Sequence, residues 1–489
     1  MAPRTEETPE AVCIEVSDWS GDAERLETMV DSDREQVRRI QRKVDMRLVL
    51  PLGLLYTMAF LDRSNLGNVA VAGLSTQLHL NVGSRYSIIA MIFFISYIII
   101  DLPATWLVRK LGATVWIPSI AVAWGVLTIG QGFVKTWGQL AACRFLLGFC
   151  EGGLVPAAIY LLSVWYSRFE IQLRFAGFYL LGIASSGLSG LLALGIERMN
   201  GDAGLEGWRW IFIIEGIMSC VVAIASFFIL VDLPEKATRP NIFGFPAWLS
   251  EQDVAILVNH VHADRGSMGS EKFSTTEMLA HLRDVKIWEF SALLLLNNTC
   301  LYAFAYFLPT ILEEGLGYSV SKSQLMTFWP YAVAVPWILL VAWLSDRFKT
   351  RGPAMVFNSL LYIIGASMMG FCHDPSTRYG GVFIGVVGIC GNVPANFGYQ
   401  HNNTVGKSKL ALCAGMLTIG GALGGVISGN IFQSKEAPRY TTGLSICIAF
   451  QATAALIVTK NFFVFSRANR QADRGERIIE NQPGFRYTL

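Results

Sequence analysis

Two acids and two arginines sit inside stretches that are otherwise almost free of charge. Asp62 and Arg63 lie in Phe60-Leu-Asp62-Arg63-Ser-Asn65-Leu-Gly67-Asn68, and Arg144 and Glu151 lie in Arg144-Phe-Leu-Leu-Gly148-Phe-Cys-Glu151-Gly152-Gly153. Other polar groups in apolar surroundings are Tyr97, Asp101, Glu215 in Trp208-Arg209-Trp210-Ile-Phe212-Ile-Ile-Glu215, and His401-Asn402-Asn403. A charge in a hydrocarbon setting costs about 2.5–3.5 kcal/mol or more, so each of these needs a partner or a task. Arg144 and Glu151 are two helical turns apart and therefore share a stripe. Gly148 and Gly152 lie on nearly the same stripe, and small residues at that spacing let a neighbouring helix approach closely. A face both charged and glycine-lined is expected to look into the protein interior. Asp62 and Arg63, as neighbours, point about 100° apart on a helix. The expected partition turns Arg63 to a central cavity and Asp62 to Arg144. A guanidinium fork matches both oxygens of a carboxylate and never loses its charge. An acid in the same cavity, Glu151 above all, can take up and release a proton. A fixed cation beside a titratable acid is what coupling an anion to protons requires.

The elements that carry these residues are long apolar runs. A helix crossing a bilayer needs roughly 20 such residues. Runs of that kind occur near 48–70, 84–106, 113–133, 139–165, 173–196 and 209–231, then near 287–312, 323–345, 354–372, 380–400, 410–432 and 441–465. The pattern predicts an all-α membrane protein with twelve transmembrane helices in two six-helix bundles. The expected division is a cytosolic tail over 1–46, a first bundle over 47–231, a cytosolic loop over 232–286, a second bundle over 287–465 and a cytosolic tail over 466–489. The leader has no early apolar core and does not read as a signal peptide. Helical segments are expected in the loop around Pro246–His262. With both termini inside, Lys and Arg concentrate on the cytosolic connections, as the positive-inside rule demands. A short basic turn follows the second span (Arg109-Lys110-Leu-Gly112) and the eighth (Asp346-Arg347-Phe-Lys349-Thr-Arg351), which suggests related halves, with Asp101, Gly148, Gly152, Asp346, Arg347 and Arg351 expected in gating or structural roles.

Bulk composition agrees. Of the 489 residues, 53% are hydrophobic and 16% charged, where soluble domains carry about a quarter charged. Such a surface must meet lipid. No basic run is dense enough for nucleic acid. Eight of nine cysteines fall in apolar runs without CxxC spacing and read as small hydrophobes. His260 and His262 form a lone HxH in the polar loop and read as solvated surface. Asn297-Asn298-Thr299 and Asn402-Asn403-Thr404 match the glycosylation pattern but lie in apolar helices, where modification is not expected. Nothing resembles a nucleotide loop, metal quartet or nucleophile elbow, so neither an enzyme nor a cofactor is expected.

Leu61-Asp62-Arg63-Ser-Asn65-Leu-Gly67-Asn68 and the Arg144–Pro156 string resemble the anion:cation symporter branch of the major facilitator superfamily. Trp208-Arg209-Trp210-Ile-Phe212-Ile-Ile-Glu215-Gly216, Asn402-Asn403 and Ala437-Pro438-Arg439-Tyr440 resemble its fungal allantoate, nicotinate and pantothenate permease group, over roughly 45–465. The resemblance implies proton coupling at Asp62 and Glu151, and carboxylate binding at Arg63 and Arg144. It also implies that Tyr97, six residues before Pro103, and the Asn402-Asn403 pair line the substrate site. Asp101 stands where the group usually has Glu, Ala422 where Asn is usual, Leu410 where Arg is usual and Ala342 where Gly is usual. The implied activity is proton-driven symport of a small organic anion by a monomer in the plasma membrane. An exporter of the same fold and a non-transporting nutrient sensor are the competing classes. Against the exporter, the fifth span has Gly177, Gly182, Gly187 and Gly190 but no proline.

Overall fold

A computed structural model describes residues 19–166, 168–238, 249–265, 280–405, 407–432, 436, 439–482 and 484–489. Every predicted span is a helix. The first half holds α1 (Trp19–Val69), α2 (Arg85–Leu111), α3 (Ala113–Gln131), α4 (Trp137–Glu151, resuming as Leu154–Trp165), α5 (Arg168–Glu197) and α6 (Gly207–Ile229). The second holds α7 (Val285–Thr310), α8 (Val320–Phe348), α9 (Gly352–Phe371), α10 (Pro375–Asn402), α11 (Lys407–Ser428) and α12 (Thr441–Asp473). Leu146, Phe149, Val221, Leu339, Trp343 and Leu456 are exposed, the mark of a surface facing acyl chains rather than water. Residues 19–46, expected as a tail, continue α1 without a break through Pro51. The polar connection between the halves contains the helix Glu251–Arg265, which buries Leu257 and Val261 against the first bundle. Residues 239–248 and 266–279 lie outside the described set.

Helix pairing carries the pseudo-symmetry that the two basic turns hint at. α1 packs on α5, α2 on α4 and α3 on α6; six positions later, α7 packs on α11, α8 on α10 and α9 on α12. Between halves, α2 meets α11 and α5 meets α8, a pair that the same operation exchanges. These cross-half contacts are tight at one end of the bundle. Tyr86 Oη donates to Tyr306 O at 3.2 Å, and a Cβ on Gly67 would stand 2.6 Å from that same oxygen. A Cβ on Gly190 of α5 would stand 2.5 Å from Gln324 O of α8.

The glycine stripe of α4 does face inward, but it is spent on α2. A Cβ on Gly152 would stand 2.7 Å from Tyr97 O, and one on Gly148 would collide with Phe93 O. Neither neighbour can yield, because each is backbone. Gly148→Leu is therefore expected to destabilise the first half by more than the roughly 1–3 kcal/mol of ordinary overpacking. Gly138→Leu is the control, since nothing lies within 4 Å of its Cβ. Thermal unfolding midpoints of the two purified variants decide it, and equal midpoints would remove the packing argument.

The final residues fold back onto the basic end of the second half. Asn469 exchanges hydrogen bonds with the Tyr487 backbone at 2.8 and 2.9 Å, and Leu489 O accepts from the N–H groups of Arg351 (2.6 Å) and Gly352 (3.1 Å). Glu480 binds Lys409 at 2.7 Å and also Lys286, while Asp284 takes Lys409 at 2.6 Å. Partial burial alone would raise both acids. The two ammonium groups outweigh it and hold Glu480 and Asp284 below the usual carboxylate range.

Candidate functional site, a charge cluster behind the junction of the halves

Five ionisable side chains meet in the first half: Asp62 and Arg63 of α1, Arg144 and Glu151 of α4, and Glu215 of α6, each between 0 and 5% exposed. Helix geometry delivers them. α1 runs between α5, α6 and α7, so its two adjacent charges reach different neighbours. Arg63 turns toward the second half. Its Nε and Nη2 both lie 2.5 Å from Glu151 Oε1, and its Nη1 donates to Tyr302 Oη of α7 at 3.1 Å. The guanidinium is boxed by the rings of Phe60, Phe93 and Tyr97, with centroids 5.7, 5.3 and 5.0 Å away. Aromatic faces attract a cation and shed the water that would otherwise screen it.

Asp62 turns the other way, toward Arg144, as the partition required. The contact is less direct than a salt bridge: Arg144 Nη1 donates to the Asp62 backbone oxygen at 3.3 Å, while Asp62 Oδ2 accepts from Thr128 Oγ1 of α3 at 3.3 Å. Arg144 stands over the ring of Phe212, 5.8 Å away. Its Nε and Nη2 have no protein hydrogen-bond partner, nor do Asp62 Oδ1, Glu151 Oε2 and Glu215 Oε2. Glu215 Oε1 accepts from Asn65 Nδ2, Asn65 Oδ1 accepts from Asn68 Nδ2 at 3.2 Å, and Asn68 reaches Ser189 Oγ at 3.1 Å. Buried polar groups are usually paired, so a cluster this buried and this incompletely paired marks a candidate functional site.

Among the expected substrate residues, Tyr97 is at the site, against Arg63. Asn402 and Asn403 are not brought to it. They close α10 at the end where Asn403 exchanges hydrogen bonds with the Thr488 backbone (3.1 and 2.8 Å) and donates to Tyr399 O at 2.9 Å. Its amide is fully engaged in anchoring the terminal segment. The part of α10 that faces the first half is Phe397, whose ring lies 6.1 Å from Tyr179. Asp101 joins the halves directly, accepting from Thr418 Oγ1 of α11 at 2.6 Å. Arg347 is exposed beside Trp343, and Arg351 starts α9 under Leu489. The Asp346 side chain lies outside the described set.

Two participants, Tyr302 and Tyr306, escaped sequence reasoning. They lie one turn apart on α7 and stack at 6.1 Å, and Tyr302 meets Arg63; their spacing in an apolar run was the available signal. Glu215 was visible as a buried acid but had no assigned partner until α6 was placed beside Asn65. The second half answers the charges of the first with amides: Gln451 donates to Asn297 Oδ1 at 3.1 Å, and Asn392 donates to Ser359 Oγ at 2.8 Å.

A family profile described as Major Facilitator Superfamily matches residues 52–429. The chain belongs to that superfamily. It is 30% identical to the high-affinity nicotinic acid transporter of Saccharomyces cerevisiae, across 96% of this chain and 90% of the yeast protein. It is also 30% identical to an uncharacterised transporter of Schizosaccharomyces pombe, across 94% and 91% of the two chains. These relatives set it in a nicotinate- and allantoate-permease-like group of fungal transporters. Among solved structures, the partially occluded, inward-open Escherichia coli xylose transporter XylE superposes with a TM-score of 0.65 at 13% identity, covering 85% of this chain and 99% of the other. A bacterial homologue of the human lysosomal transporter Spinster, inward-facing and occupied, gives 0.63 at 16% identity, with 86% and 98% covered. Both likenesses confirm the twelve-helix fold. As a major facilitator chain it is a transporter in a membrane, with a small-molecule substrate and no enzymatic reaction.

Proposed function

We propose that this transporter is a proton-coupled symporter of a small organic anion, a monomer of the plasma membrane with both termini cytosolic. It works by alternating access and needs no cofactor. The observation that carries the reading is the Arg63–Glu151 pair. A cation that must stay charged is held at once by an acid of its own half and a tyrosine of the other. A substrate carboxylate can offer Arg63 a two-oxygen, bidentate bond, where Glu151 supplies Oε1 alone. The two anions then compete for one cation, and a proton on Glu151 decides the competition. Charge balance supports the same scheme. The cluster has three carboxyls and two guanidiniums, so one carboxyl is left to be carried as the neutral acid.

The halves close tightly at the Gly67, Gly190 and Tyr306 end. Under the positive-inside assignment that end is external. The name of the yeast relative points to carboxylate vitamins as the class to try first. Cells expressing the chain are expected to accumulate labelled nicotinate or another small carboxylate when the medium is acid, and to lose it when a protonophore collapses the gradient. Loss of preloaded substrate from the cells would favour the exporter, and saturable binding without flux would favour the sensor.

A further inference from the structure

We infer that the basic end of the second half holds one anionic phospholipid, its phosphate between Lys460 of α12 and Arg477 of the terminal segment and an acyl chain along the outer face of α12. Such a site needs only a bilayer around the bundle, and neither the protons nor the substrate of the reading above. A cavity of about 530 Å³ lies between the terminal segment and α7, α11 and α12. Ordinary small-ligand sites span roughly 300–1,000 Å³. The walls place this one at the edge of the acyl region. Leu456, Lys460 and Phe463 share one stripe of α12 by their spacing. Leu456 is 70% exposed and Phe463 67%, so the stripe meets lipid, and Lys460 stands in it. A lysine placed there near a helix end extends its ammonium toward the headgroups. Its ion-pair partner, Glu289, follows Trp288, an exposed indole of the kind found at membrane interfaces. Exposed Val464 and Ile478 also line the cavity, which therefore opens toward acyl chains.

Charge balance selects the ligand. Four cations and three acids line the cavity. Lys286 and Lys409 are committed to Glu480 and Asp284, and Lys460 to Glu289. Arg477 is left, with no hydrogen bond or ion pair among the described residues. A phosphodiester with an uncharged headgroup carries one negative charge and matches that remainder. A zwitterionic headgroup would bring a further cation with no acid left to meet it. Lys460 can serve both partners, because an ammonium has three donors and Glu289 leaves some of them to a phosphate. Asn461 adds an uncharged contact. It is 2% exposed and lines the same cavity, and its Nδ2 is the one buried side-chain polar atom among the lining residues without a protein partner. Buried donors are normally satisfied, and a phosphate or ester oxygen would satisfy this one. Basic pockets between transmembrane helices are apt for anionic headgroups. A lipid held there ties Arg477 to α12 and so secures the segment that brings Glu480 to Lys286 and stacks Tyr487 on Phe465 at 4.4 Å.

The test uses purified full-length protein in detergent, with lipid retention read by native mass spectrometry. Native protein is expected to bind dioleoylphosphatidylglycerol several-fold more tightly than dioleoylphosphatidylcholine. Equal affinities overturn the inference, and this comparison stands however the variants fold. Arg477→Gln should weaken binding of the anionic lipid roughly fivefold, and Arg477→Gln with Lys460→Gln about thirtyfold, since each basic group at a membrane surface contributes about 1 kcal/mol. Asn461→Leu leaves every charge in place and should still cost about tenfold, the loss of one hydrogen bond to a charged group. Lys349→Gln, at an exposed lysine of the same end outside the cavity, should bind as native protein does. A loss in that control equal to the loss in Arg477→Gln, or native affinity in Asn461→Leu, would leave only a diffuse basic surface and overturn the site. Sodium glycerol 3-phosphate, which has the phosphate without the chains, should not displace the lipid at equal concentration. Displacement there would assign the cavity to soluble phosphate esters instead of lipid.

Discussion

Arg63→Lys is expected to cut transport at least tenfold, and Arg63→Ala to abolish it. Lysine keeps the charge and its attraction to Glu151, but one ammonium cannot grip two carboxylate oxygens and Tyr302 in a fixed plane. Charge-assisted hydrogen bonds are worth about 1.5–3 kcal/mol each, and about 1.4 kcal/mol is a factor of ten, so losing one sets the tenfold scale. Alanine removes the anion's counter-charge and also strands Glu151, an uncompensated buried acid of the kind that costs roughly 3–5 kcal/mol. The lysine variant, which spares that pairing, is the cleaner measure of substrate recognition. The companion observation uses native protein. A substrate acid should bind far more tightly than its neutral amide, because only the acid can replace Glu151 on Arg63. Equal affinity for acid and amide, measured on purified protein, would mean that Arg63 is a permanent structural cation and would remove the anion site.

The fold was largely legible because the bilayer imposes a single strong rule. Apolar runs of sufficient length must be helices, and all twelve appeared within a few residues of their predicted positions, apart from extensions beyond the membrane. Those extensions show what hydropathy cannot see. Residues 19–46 are polar yet continue α1, because a helix once nucleated propagates through polar residues at little cost. The break in α4 after Glu151 was implicit in Gly152-Gly153, which lets Glu151 sit at a helix end with one oxygen uncommitted.

The site was legible only where its members share a helix. Arg144 and Glu151 could be placed on one stripe from spacing alone, and the opposed directions of Asp62 and Arg63 followed from their adjacency. What spacing could not give was partnership across helices. Gly148 and Gly152 were read as points of close helix approach, and they do dock on a neighbouring backbone, but spacing could not say that the neighbour is α2. Asn403 shows a related limit. A polar pair at the end of an apolar helix reads the same whether it faces a cavity or anchors a terminal segment, and only the position of Thr488 separates the two.

Glu151→Gln is expected to lose at least tenfold in accumulation driven by a pH gradient of one unit, while exchange of labelled for unlabelled substrate persists. The amide fills the same space between Arg63 and α4 and its oxygen can still accept from the guanidinium, but it carries neither the negative charge nor the exchangeable proton. In the native protein, ionised Glu151 competes with substrate for Arg63, and protonation ends the competition. Native affinity for the anion should therefore rise as pH falls through the titration of that acid. In the glutamine variant the competition is absent at every pH, so affinity stays at the level of the protonated native protein and most of the pH dependence disappears. The anion can then bind and leave without that proton. Each proton removed from the cycle lowers the attainable accumulation by about tenfold per pH unit. Retention of the native accumulation ratio, together with a native pH profile for binding, would show that Glu151 is only a structural counter-ion for Arg63. A flat binding profile with undiminished exchange would show that the proton acts through competition at Arg63.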